Sequence, residues 1–226
     1  VEQIDSVLGS KQPVTVSDAW AKRYHWKSGV EAGFIYTYFN MDKPYFGYND
    51  DPAIEAKNKA LRCAMRDAFS WAERNERFYS GIGTVFPGII APVVPEFDPS
   101  LSEASVTQHM EKAKQQLRDA GWTPETLPEL TYGYSSAVFY RQVFEQFRGF
   151  MNQLGFPLAK IQGRTFATFG DFNKAIKTSQ LDIGGLGWGL DYPDAENTLQ
   201  LFYGPNRTPG SNNANYANPE FDALFE

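Results

Sequence analysis

The chain has one cysteine, Cys63, and two histidines, His25 and His109, among 226 residues. A single cysteine excludes a disulfide framework within the chain and a cysteine-built zinc site. Cys63 falls in a strongly helical stretch, where a thiol packs as a small apolar side chain. Two histidines leave little for a Ser/His/Asp or Cys/His apparatus, which needs an imidazole beside its nucleophile. His25 lies between Tyr24 and Trp26 in an irregular segment, and His109 beside Met110 and Glu111, off the apolar face of a helix. Both read as surface or packing residues. No Gly-x-Ser-x-Gly, His-Glu-x-x-His, phosphate-loop or dinucleotide fingerprint is present, so no catalytic residue, cofactor or metal is expected.

An excess of basic charge is also missing. Lys and Arg total 21 against 27 Asp and Glu, a net charge of −6. The basic residues are paired with acids along helices, as in RDAFSWAERNERF, which leaves no phosphate-binding surface and excludes nucleic acid as a partner. No apolar run is long enough to span a bilayer. VEQIDSVLGS is polar, lacks an initiating Met and is no signal peptide. A processed or truncated product is expected. What the chain does have is 42% hydrophobic and 15% aromatic residues, enough for a packed core.

Residues 1–33 read as irregular, a segment carried over from elsewhere in the protein, and 34–226 as one lobe. Phe34–Asn40 is aromatic and β-branched and reads as a strand. Residues 52–80 read as one long helix, with Leu61, Ala64, Met65, Ala68, Phe69 and Ala72 on one face and Pro52 at its start. A loop with four prolines follows, then a helix over 101–120 with Val106, Met110, Ala113 and Leu117 on its apolar face. Strands are expected at LTYGYSS, FPLAKIQG and LDIGGLGW, with helices between them, the first of these closed by Gly155. A short helix follows from about Glu196, and another begins at Pro219. Strands alternating with helices imply an α/β sheet with parallel pairing.

The densest acid cluster is Asp191, Asp194 and Glu196. Its spacing fits no calcium loop, and a glycosidase pair rests on too little. Asp194 precedes a helix and reads as its N-cap. Asp191 falls just past the carboxyl end of a strand, where open α/β sheets bind ligands. Trp188 precedes it and Tyr192 follows. An aromatic wall with one carboxylate suits a cationic or amine-bearing ligand; a turn-forming role before Pro193 is the alternative.

AKQQLRDAGW, LTYGYSS, FRGFMNQLGFPLAKIQGRTFATF, DIGGLGWGLDYPDAENTLQLFY and SNNANYANPEFDALFE, in that order, resemble the extracellular solute-binding proteins of ABC importers, family 5, the dipeptide- and oligopeptide-binding type. YFNMDKPYF is similar to the family's fN…pPf segment and KALRCAMRDAF to its R-x-A-l-x-x-A-f helix, with Ser70 where an acid is usual. The resemblance implies a mixed sheet with flanking helices, one lobe of a periplasmic-binding-protein-like type II (cluster C) fold. It implies a non-enzymatic, periplasmic, monomeric protein that closes around a small peptide and hands it to an inner-membrane ABC permease. Asp191 would pair with the peptide's α-amino group, Trp188, Gly189, Leu190 and Tyr192 would line the cleft, and Tyr38 and Asn40 would lie near the hinge. The family also binds sugars, opines and metal chelates. A carbohydrate-active hydrolase, or a peptide receptor or chaperone on the same fold, is the rival reading.

Overall fold

Short runs of aromatic and β-branched residues build a four-stranded mixed sheet in the computed structural model, which describes residues 6–226. A hairpin of β1 (Leu8–Lys11) and β2 (Val14–Val16) and a short helix α1 (Asp18–Ala21) lead to β3 (Gly33–Phe39). Helices α2 (Pro52–Ala68), α3 (Trp71–Tyr79) and α4 (Met110–Asp119) follow. Then come β4 (Leu130–Ser135), α5 (Val138–Leu154), β5 (Ile161–Phe166), α6 (Phe169–Lys177) and β6 (Ile183–Gly189). Two short helices, α7 (Ala195–Leu199) and α8 (Pro219–Phe225), end the chain. The strand order is β3-β6-β4-β5. β4 pairs parallel with β5 and β6, and β3 runs antiparallel to β6 along the edge. The carboxyl ends of β4, β5 and β6 therefore share one edge of the sheet.

One face of the sheet packs on α2, α4 and α5 through Leu61, Met65, Leu117, Phe147 and Met151. The other packs on α6 through Phe172 and Ile176, against Tyr38, Phe166 and Leu181. Each such fully buried side chain stabilises the fold by about 1.5–3 kcal/mol. The adjacent glycines of β6 have a packing cause. A Cβ at Gly184 would stand 2.6 Å from the Tyr38 ring, and one at Gly185 2.7 Å from the Tyr132 hydroxyl. Two tyrosines thus lie flat across the strand, where any larger residue would displace them.

The local structure departs from the sequence pattern in four places. Residues 8–16 form a hairpin rather than an irregular segment; strands of four and three residues are too short for alternation to register. Lys11 reaches Glu76 on α3 at 2.8 Å, so this hairpin packs against the lobe; residues 1–5 lie outside the described residues. The helix expected over 52–80 is two helices. Phe69 is extended, and the Ser70 hydroxyl accepts from Glu73 N at 3.1 Å, a new N-cap where the apolar period runs on without a break. The helix expected over 101–120 shrinks to α4, because the His109 backbone is not helical (φ −132°, ψ 65°) and its N–H donates to Asp67 O at 2.7 Å. Val106 lies outside it. The third strand starts at Ile161, after a 3₁₀ turn at Leu158–Lys160, not at Phe156. Asp51 caps α2 just before Pro52, and Gly155 and Asp194 end or cap their helices as the pattern predicts.

Asp67 joins α2 to α4. Its side chain is 1% exposed and meets Arg66 at 2.7 Å and Lys112 at 2.9 Å. Burial works to raise this carboxyl, but the Lys112 ammonium and the Arg66 guanidinium outweigh it and hold it below the usual carboxylate range. A carboxyl depressed on folding contributes stability that is fully present above its unfolded value, about pH 4. That contribution fades as the pH falls through the folded value. Asp67→Asn is expected to lose about 2 kcal/mol at neutral pH. Urea titrations of both proteins at pH 7 and pH 3 should show the gap closing in acid; a constant gap would sink this account.

Candidate ligand-binding site

β3 sets the site because one of its edges is open. Asn40 N donates to Asp182 O and Leu190 N to Ala32 O, both at 2.8 Å, so the even-numbered residues between them turn their backbone groups toward β6. Antiparallel alternation then turns the N–H and C=O groups of Ile35, Thr37 and Phe39 outward. Among the described residues no strand pairs with that edge.

A groove of about 820 Å³ runs along it. One wall is α3 with the loop after it, giving Trp71, Arg74, Tyr79 and Phe86. The other is the stretch that follows α7, giving Leu201, Phe202, Ala214 and Tyr216. The Phe86 ring meets Phe34 edge-on at 6.3 Å, which holds the loop against the strand. The walls are largely aromatic and aliphatic, as ligand clefts are.

The residues singled out in the sequence divide into three groups. Trp188 and Gly189 line the groove, and Trp188 Nε1 donates to Asn197 O at 2.9 Å and to its Oδ1 at 3.0 Å, which fixes the indole. Asp191 and Tyr192 are exposed on the turn just beyond. The Asp191 carboxylate makes no hydrogen bond or ion pair among the described residues, whereas Tyr192 donates to Glu196. That hydrogen bond raises the Tyr192 pKa. The Leu190 side chain turns the other way, against Ala91, Val94 and Ala195. Tyr38 borders the groove, but its ring is 5% exposed over Gly184. Asn40 is 2% exposed, donates to Leu181 O at 2.9 Å and accepts from Asp42 N at 3.1 Å. Its amide is consumed in holding the end of β3.

Three features had no sequence signal. Arg74 lies in the amphipathic stretch AERNERF, where basic residues read as a solvated face; it is instead 5% exposed and lines the groove. The loop of residues 82–89 gives no sign in its sequence that it forms a wall. Asp182, hidden inside an apolar run, is 6% exposed. No group of histidine, cysteine and acidic residues among the described residues could hold a metal ion, and no described helix is long and apolar enough to cross a membrane.

Several known proteins are similar to this chain. Heme-binding protein A of Haemophilus influenzae is 26% identical over 192 residues, which cover 82% of this chain and 33% of that protein. DppA of Helicobacter pylori, an ABC transporter-associated periplasmic binding protein solved in complex with the peptide STSA, superposes with a TM-score of 0.70. The two are 17% identical, and the alignment covers 86% of this chain and 35% of that one. HbpA2 of Haemophilus parasuis gives a TM-score of 0.70 at 22% identity, over 86% of this chain and 36% of that one. The chain thus spans about a third of the length of these relatives. A family model described as bacterial extracellular solute-binding proteins, family 5 Middle, matches residues 2–210. That match takes in the whole four-stranded sheet and most of the groove beside it, and the chain belongs to the bacterial extracellular solute-binding proteins, family 5.

Proposed function

We propose that the protein is the solute-capturing component of an ABC importer, and that it takes peptide-like solutes between this lobe and a second one. The observation that carries this reading is the open edge of β3 beside a groove of about 820 Å³. An extended peptide satisfies such an edge with its own backbone, while aromatic walls take its side chains. The Helicobacter relative, solved with a peptide, supports the same cargo class. Asp191 supplies the charge for the peptide's α-amino group, with Trp188, Gly189 and Tyr192 around it. Tyr38 and Asn40 hold the strand near the hinge.

The mechanism is population shift. A solute that touches both lobes binds the closed form better than the open one and draws the protein into it. A membrane permease then reads the closed surface, outside the cytoplasm. No catalytic step is needed, and the protein acts as a monomer.

The test is native mass spectrometry of the full-length protein, as purified and after incubation with an equimolar tripeptide library. Peptide masses retained on the protein are the expected result. Retention of a haem with its visible absorption band, and no peptide, would replace the cargo with one like that in the name of the Haemophilus influenzae relative.

A further inference from the structure

Residues 18–31 are exposed without a break, yet they carry three large aromatic side chains. Trp20, Tyr24 and Trp26 are 38%, 59% and 46% exposed. Tyr24 N donates to Trp20 O at 3.0 Å, a turn past the end of α1 that brings the two rings together. They stack with centroids 5.1 Å apart and planes 28° from parallel. Trp26 follows in a stretch without helix or strand. Rings of this size forfeit a large hydrophobic gain when left in water, and an apolar patch rimmed by charge marks an interface. Lys22, Arg23 and Lys27 form the rim, and the ion pairs of the described residues leave all three out.

We propose that this aromatic strap is the seat of the second lobe, which covers it with an apolar surface edged by carboxylates. The inference rests on the two-lobed reading above and adds a place where the lobes meet; it does not depend on the cargo.

Three observations choose that occupant. The chain spans about a third of the length of its relatives, so most of the surface of such a protein belongs to other parts of its own chain. Lys22, Arg23 and Lys27 stand within six positions of one another with no acid between them, which calls for carboxylates opposite. The strap is also continuous with the groove. It joins β3 to the β1–β2 hairpin, and the hairpin grips the end of α3 and the wall loop. Lys11 pairs with Glu76 at 2.8 Å, and Gln12 Nε2 reaches Gly81 O at 3.4 Å and Gly83 O at 3.5 Å. Asn75 holds the same Gly83 from α3, donating to its O at 2.8 Å and accepting from its N–H at 3.0 Å. A lobe seated on the strap therefore bears on the element that positions the wall, and closure is linked to the width of the groove.

Hydroxyl-radical footprinting of the full-length protein, without added solute and read by mass spectrometry at each residue, tests the seat. A synthetic peptide of residues 18–31 is the unprotected reference. Trp20, Tyr24 and Trp26 are expected to oxidise at least about tenfold more slowly in the protein than in the peptide, by a ratio that dilution does not change. Carbodiimide should cross-link Lys22 or Lys27 to a carboxylate of the same chain outside residues 1–226. Weaker protection is no more than this lobe's own cover of half-exposed rings supplies, and it would overturn the seat while leaving solute capture intact. Protection that vanishes on dilution would assign the strap to a second copy, and cross-links confined to residues 1–226 would assign it to this lobe; either overturns the proposal. The readout needs no substitution, so nothing depends on whether a variant folds. A protein that retains no peptide but protects these rings would sink the cargo reading and leave the seat standing.

Discussion

Replacing Asp182 by alanine is expected to cost about 3 kcal/mol of unfolding free energy. Its carboxylate accepts from the Tyr45 hydroxyl at 2.5 Å and from Thr131 N at 2.7 Å, with Lys43 Nζ at 3.5 Å. Its backbone accepts from Asn40 N at 2.8 Å and donates to Thr131 O at 3.1 Å. One residue thus ties the end of β3, the entry to β6 and the body of β4. Alanine would leave a phenol and a backbone N–H without their acceptor, each worth about 1–3 kcal/mol when buried. The Tyr45 pKa, raised by burial and by its bond to Asp182, should fall in the variant. Urea unfolding at neutral pH measures the first effect and spectrophotometric titration of tyrosine the second. A loss below about 1 kcal/mol would show that water replaces the carboxylate, and the junction would not be the brace described here.

The sheet was legible in the sequence wherever periodicity and punctuation agreed. Gly155 ends α5, Asp194 caps α7, and the aromatic run at Phe34 becomes β3, because each signal is local. The break between α2 and α3 was not legible. Phe69 continues the apolar face of α2 while its backbone is already extended, so composition and conformation part company at one residue. The groove was legible only at one end. Trp188 and Asp191 follow a strand's carboxyl end, a place that topology marks for ligands. Arg74 lies 117 positions earlier in the chain, in a stretch rich in charges, and only tertiary packing separates it from its solvated neighbours. Asn40 shows the converse. It resembles a site residue by position, yet its amide is spent on the chain. Asn215 explains why. Its side chain donates to Asp42 and Ser179, both at 2.8 Å, and to Asn40 at 3.3 Å, so these asparagines pin the stretch after α7 to the end of β3. The second wall of the groove depends on that pin.

Asp191→Asn in the full-length protein is expected to weaken binding of short peptides with a free amine by about 30- to 1,000-fold, equal to about 2–4 kcal/mol. The substitution keeps the side chain's shape and removes its charge. Asp191 is exposed and bonded to nothing among the described residues, so unfolding free energy should change by less than about 0.5 kcal/mol. The loss can then be read as binding and not as damage to the fold. Under the proposed capture between two lobes, the physical cause lies in closure. In the open lobe the carboxylate is screened by water and its attraction for an amine is small. When a second lobe covers it, the pair is desolvated together, and an amide cannot replace the carboxylate opposite an ammonium. An acetylated peptide supplies the matching deletion on the ligand side. Calorimetry on the four combinations of protein and peptide forms a double-mutant cycle. A coupling of about 2 kcal/mol or more would identify the amine as the group Asp191 reads. If acetylation and Asp191→Asn act independently, the charge serves the turn before Pro193 and the cargo is recognised without its amine, as a sugar or a chelate would be.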